Sequence, residues 1–203
     1  MPDVTAPAAR PARERVLDAY TDLLERRGER AATLDAVARA AGVSKGGLLY
    51  HFATKHALEA GLLARLDTLV TADLAAMRTA PEGPVEHFLR SSASDDTPFD
   101  RTLRAVARLS QSSDAARQAL ADVNTRWLAQ IRDAVGDDDL ARTILLISDG
   151  IYYGSALLRE QGDPTAGPGA REIDAAVRVI RRLAGNEGDG ADGSRGSLAA
   201  RAD

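Results

Sequence analysis

Residues 33–55 read TLDAVARAAGVSKGGLLYHFATK, and the rest of the chain is read outward from them. Thr33 is a residue type that caps helices well, and Leu34, Val37, Ala38 and Ala41 then recur at helical spacing. Gly42 interrupts that pattern where a tight turn needs backbone that tolerates positive φ. Ser44 can cap a second, short helix in which Leu48 and Phe52 lie four apart on one inward face. Helix, glycine turn and helix make the helix-turn-helix pattern, whose second helix enters the major groove of DNA.

That second helix has unusual chemistry. Ser44, Lys45, Tyr50 and His51 are polar-capable groups beside two adjacent glycines, Gly46 and Gly47. Each glycine costs a helix roughly 1 kcal/mol relative to alanine, so a pair at the helix start asks for a reason. One reason is close approach of backbone N–H groups to a phosphate, which the helix dipole favours. The competing reading is a loose turn with Lys45 as a solvated charge. Lys45 and Lys55 are the only lysines in the chain, and both fall in this stretch. Their confinement here favours the contact reading.

Composition sets the bounds. A chain of 203 residues can bury a real core. Aromatic residues are only 4% of it, so that core is built from Leu, Ala, Val and Ile, which suits packed helices. The absence of cysteine excludes disulfides, thiolate metal sites and cysteine nucleophiles. The N-terminus has no apolar leader and no run approaches the roughly 20 residues of a membrane span, so a cytoplasmic protein with no membrane partner is expected. The net charge of −4 argues against a general nucleic-acid coat but is compatible with a local site. Residues 1–55 hold nine basic residues against seven acidic ones, so a slightly basic head precedes an acidic body.

Taken in order, residues 1–11 read as a flexible arm, and Arg10, Arg13 and Arg15 lie where such an arm could touch DNA. A first helix over 12–27 has a stripe of Val16, Leu17, Tyr20, Leu23 and Leu24, ending at Gly28. With the two helices above, it makes a helix-turn-helix domain over 12–55. Thr54 can cap a long helix that reaches about residue 78, where Pro81 and Pro84 stop it. Helices are expected over 85–92, 99–110 and 114–135, the last ended by Gly136. Asp137 to Asp139 then suit the start of the next helix. That helix, about 140–160, is apolar around most of its circumference and needs more than one partner. A loop over 162–169 leads to a final amphipathic helix near 170–184, and the Gly-, Asp- and Ser-rich stretch 186–203 reads as disordered. The fold class is all-α, about nine helices, with a helical body over 56–185. Its last two helices offer a surface that a second copy could cover as a two-fold four-helix interface, or that the chain could cover itself.

No active site emerges. His51 and His56 are five apart, off a common helical face, and His87 is the only other histidine. No phosphate-binding glycine loop, GxSxG elbow or HExxH motif is present, and Asp95–Asp96 and Asp137–Asp139 read as loop or cap charges. No enzyme, cofactor or metal is expected. The body can still hold a small molecule: Phe88, Phe99, Trp127 and Tyr152 are candidate lining residues, with Asp149 as a polar contact, set against the plainer reading of aromatic core.

Residues 13–69 resemble the TetR family of bacterial transcriptional regulators. The resemblance rests on the first-helix stripe, on the run from Thr33 through Val37, Ala38, Gly42, Ser44, Lys45 and Gly46, and on Leu49, Tyr50, His51, Phe52, Thr54 and Lys55. It implies an all-helical homodimer that binds a palindromic double-stranded operator and releases it when a small-molecule effector enters the body. Carried over, Thr33 and Lys55 look like phosphate contacts, Lys45 and Gly46 approach the DNA, and Tyr50 and His51 touch base edges or backbone. Ser44 belongs to the same surface. The pattern departs at Gly47, where many members have Thr or Asn, and at Leu49, where many have Tyr. Leu49 can instead meet a thymine methyl group. The alternatives are a helical interaction module that does not bind DNA, and a DNA-binding activator without ligand control.

Overall fold

The computed structural model describes residues 10–93, 97–160 and 168–186. Most of the expected arm, the Asp95–Asp96 pair, most of the 162–169 loop and the tail beyond 186 lie outside the described residues. Within them the chain is all-α, with nine helices and no strand: α1 (Ala12–Arg27), α2 (Leu34–Ala40), α3 (Lys45–His51), α4 (Lys55–Thr79), α5 (Pro84–Ser92), α6 (Pro98–Leu109), α7 (Asp114–Val135), α8 (Asp138–Glu160) and α9 (Ala170–Asn186). None of them is long and apolar enough to cross a membrane. The expected starts and stops have visible local causes. Thr97 and Asp100 form a reciprocal capping box on α6. Asp137 accepts the N–H of Leu140 at 2.5 Å where α8 begins.

The helices gather into two compact units. The first comprises residues 1–73 and 95–124, the second 74–94 and 125–203, so α4 and α7 each contribute residues to both. In the first unit α1 is central, packing against α2, α3 and α6. Of its apolar stripe, Val16, Leu17, Tyr20 and Leu24 are fully buried, while Leu23 is only partly covered. Its carboxylates grip the neighbouring helices. Arg65 of α4 reaches Glu14 at 2.6 Å and Asp18 at 2.7 Å, while Arg104 of α6 reaches Glu25 at 2.7 Å and Arg101 pairs with Asp22. Arg65 holds the Glu14 carboxyl below the usual carboxylate range.

The docking of α4 depends on a glycine. A Cβ on Gly61 would lie 2.5 Å from Cε1 of Phe52, so the Phe52 ring fills the space a side chain would need. Phe52 is buried, and the Arg13 guanidinium lies 5.4 Å from its ring centroid. Such burial stabilises by roughly 1.5–3 kcal/mol and sets the end of α3 against α4.

The second unit packs α5 against α8 and α9, and α8 against α9. Phe88 of α5 and Trp127 of α7 are buried with ring centroids 5.4 Å apart. The hydroxyls of Ser92 and Ser148 meet at 2.6 Å and join α5 to α8. Arg90 links α5 to α9 through Asp174 at 2.6 Å. Not every apolar side chain is covered: Leu146 and Tyr153 on α8 remain 70% and 65% exposed, and Val179 and Leu183 on α9 are exposed as well.

Candidate nucleic-acid interface

Residues 33–55 fold as two short helices and a turn. Thr33 caps α2, its Oγ1 accepting from the N–H of Ala36 at 3.2 Å. Ser44 caps α3 in the same way, accepting from the N–H of Gly47 at 3.0 Å. Each hydroxyl accepts in its cap and keeps its own proton to donate outward. Gly42 sits between the helices at φ 63°, a conformation in which a Cβ would be strained. Val37, Ala38, Leu48 and Phe52 point inward and are buried, which anchors both helices on α1.

The outer face of α3 has a different character. Tyr50 is 86% exposed and Leu49 37% exposed, so the helix offers large apolar side chains to the outside. Tyr50 and His51 meet edge to face, 5.1 Å between centroids. The two glycines differ. A Cβ on Gly47 would lie 3.2 Å from the Ser44 hydroxyl, a tight contact against the α3 cap. A Cβ on Gly46 would meet nothing within 4 Å. Among the described residues nothing crowds a side chain at 46.

Both lysines are held by carboxylates. Lys45 Nζ lies 2.9 Å from Asp35, both side chains largely exposed. Lys55 Nζ lies 2.9 Å from Glu29 and also reaches the Glu29 carbonyl at 3.3 Å. These partners are 10 and 26 residues away, and no local pattern announces them. The arginines near the N-terminus have internal partners too: Arg10 pairs with Asp18, Arg13 with Glu14, and Arg15 donates to the carbonyl of Ala41.

The candidate ligand residues divide. Phe88, Trp127, Asp149 and Tyr152 lie in the second unit, and Phe99 lies on α6 in the first. Phe88 and Trp127 touch each other. Burial pushes the Asp149 carboxyl above the usual range. A separate open cleft of about 550 Å³ in the first unit is lined by Arg10, Arg13, Asp18, Arg65, Thr68 and Pro98, among others, and sequence reasoning did not anticipate it.

Residues 16–60 match the sequence pattern of bacterial regulatory proteins of the tetR family. No curated protein matches the chain. Among solved structures, a TetR-family member from Streptomyces coelicolor A3 is 22% identical, with a TM-score of 0.64 over 85% of this chain and 97% of that one. A transcriptional regulator from Rhodococcus sp. Rha1 is 19% identical, with a TM-score of 0.62 over 87% of this chain and 97% of that one. The multidrug binding protein EbrR, solved with malachite green, is 23% identical, with a TM-score of 0.60 over 84% of this chain and 96% of that one. At such identities the structures establish the fold, and the family match is confined to residues 16–60. Residues 16–60 thus match the tetR family of bacterial regulatory proteins, and the chain shares the all-helical fold of TetR-family transcriptional regulators.

Proposed function

We propose that this chain is a sequence-specific repressor that binds a palindromic operator as a homodimer and is released by a small molecule. The observation that most supports it is the outer face of α3, where Gly46 faces open space beside the exposed Leu49 and Tyr50. In this reading α3 lies in the major groove and the backbone at Gly46 comes close to DNA. Thr33, Ser44, Lys45 and Lys55 meet phosphates, while Leu49, Tyr50 and His51 meet base edges or backbone. Because Gly47 lacks a hydrogen-bonding side chain and Leu49 lacks a hydroxyl, recognition leans on backbone and apolar contacts.

Gly46→Ala separates this reading from a merely structural one. Its Cβ meets nothing, so the substitution is expected to stabilise the helix by about 0.5–1 kcal/mol. Against a DNA surface the same methyl group collides, and affinity for promoter-region duplexes is expected to fall about tenfold. Thermal melts and duplex titrations on one preparation check both signs. A variant that is more stable and binds DNA equally well would remove Gly46 from the interface.

The dimer is supported by the uncovered face of α8 and α9. Leu146, Gly150 and Tyr153 fall at i, i+4 and i+7, so they share one side of α8, and a Cβ on Gly150 would meet nothing. Exposed apolar side chains flanking an open glycine suit close approach of a second helix. Two heads on one dimer would meet half-sites about 34–36 Å apart. EbrR, of the same fold, was solved with malachite green, which supports a ligand-responsive reading here. Phe88, Trp127 and Tyr152, with Asp149, are the proposed lining in the second unit. A thermal-shift screen against release of bound duplex identifies the effector.

A further inference from the structure

The Lys55 contact continues past Glu29. One carboxylate oxygen of Glu29 holds the Lys55 ammonium at 2.9 Å, and the other accepts a hydrogen bond from the Ser112 hydroxyl. Ser112 belongs to the turn between α6 and α7. Its neighbour Ser113 donates to Glu59 of α4 and accepts the N–H of Ala116 at 3.1 Å as the α7 cap. Two adjacent serines therefore tie the α6–α7 turn to carboxylates on either side of Lys55 in sequence. The Tyr20 hydroxyl is fully buried and has no hydrogen-bond partner among the described residues, with Glu59 and Glu29 as its charged neighbours. The Ser112 hydroxyl and Lys55 together hold the Glu29 carboxyl below the usual range, so it is the anion that faces the lysine.

We propose that Glu29 is a positioning residue for Lys55: its carboxylate occupies the ammonium where a DNA phosphate would sit, and Ser112 keeps it there, so the α6–α7 turn sets how readily Lys55 is given up to DNA. The proposal rests on the DNA-binding reading above. Lys55 and Glu29 are 42% and 37% exposed, and a pair this exposed is weak enough for a phosphate to displace it. The Lys45–Asp35 pair supplies the contrast. It is more exposed, and no third side chain from a distant turn is seen on Asp35 among the described residues. Asp35 is a competing charge without a tether.

The test is duplex binding by the full chain across a salt series. Glu29→Gln is expected to bind about threefold to tenfold more tightly at low salt, and its log–log salt slope is expected to steepen by up to about one. Lys55→Ala is expected to abolish that difference. Ser112→Ala is expected to tighten binding by about twofold in the wild-type background and to have no effect on top of Glu29→Gln. Asp35→Asn controls for the general loss of an acidic charge: it is expected to tighten binding and leave the Ser112 effect intact. Thermal melts on each variant separate stability from binding, because a purely structural pair would lower the melting temperature without moving the salt slope. An unchanged slope in Glu29→Gln, or a Ser112→Ala effect of equal size in both backgrounds, would overturn the relay while leaving DNA binding standing. A wild-type chain that binds no duplex would overturn the DNA-binding reading and this proposal with it.

Discussion

Phe52→Ala is expected to destabilise the protein by about 3–5 kcal/mol, the range for deleting a buried aromatic ring. A domain this size holds about 5–15 kcal/mol in all, so the loss is a large share of it. The reason lies in what the ring joins. Phe52 is the residue after α3, it fills the notch at Gly61 on α4, and Arg13 of α1 lies over it. Removing it leaves a void at the meeting of three helices and frees the end of α3. Duplex affinity is therefore expected to fall with stability. Gly61→Ala approaches the same joint from the other side, and forcing a methyl group against the ring is expected to cost about 1–3 kcal/mol. Because the two residues touch, the double variant Phe52→Ala, Gly61→Ala is expected to be less destabilised than the sum of the singles, the new methyl group filling part of the void. Denaturant midpoints at constant m-value measure all three. A Phe52→Ala midpoint within about 1 kcal/mol of wild type would show that the ring is not the joint described here.

Placing charges on the exposed face of α8 is expected to have the second large effect. Leu146 and Tyr153 stand seven apart on that face and are mostly exposed. If a second copy covers them, Leu146→Glu with Tyr153→Glu brings like charges together across the two-fold axis and buries them, which costs several kcal/mol per interface. Both positions are exposed in one chain, so the protomer is expected to keep its helicity. Sedimentation should change from dimer to single protomer. Binding to a two-half-site duplex should fall by at least about a hundredfold, because linking two readers raises avidity by 10²–10⁴. A double variant that sediments and binds like wild type would place the dimer interface elsewhere, or remove it.

Much of the fold is legible in the sequence because it is local. The Thr33 and Ser44 caps, the Gly42 turn, the inward Leu48 and Phe52, and the α1 stripe all follow from spacing within one or two turns, and the helices stand where that spacing puts them. The long-range chemistry is not legible. Arg65 finds Glu14 and Asp18 across 51 and 47 residues, Arg104 finds Glu25 across 79, and Lys55 finds Glu29 across 26. In the sequence these are charges of the kind any solvated helix face has. Their pairing depends on which faces the helices turn to each other, and that is settled only by packing. Gly61 shows the same limit, since a glycine inside α4 reads as a weak spot until Phe52 is seen against it. The candidate interface divides likewise. Which residues of α3 face outward follows from period and caps, whereas the carboxylate on each lysine does not.

The central claim is that residues 33–55 read DNA, and titrating duplex fragments of the protein's own promoter region across salt tests it most directly, with Tyr50→Ala beside the wild type. Tyr50 is mostly exposed, so its removal is expected to leave the melting temperature unchanged. The wild type should prefer one fragment over the others, and the logarithm of its affinity should fall linearly with the logarithm of salt, by about 0.9 per phosphate contacted. Tyr50→Ala should lose about tenfold to a hundredfold on that fragment and much less on unrelated DNA. Equal binding to every fragment, or a Tyr50→Ala variant that binds the preferred fragment as tightly as wild type, would contradict the account.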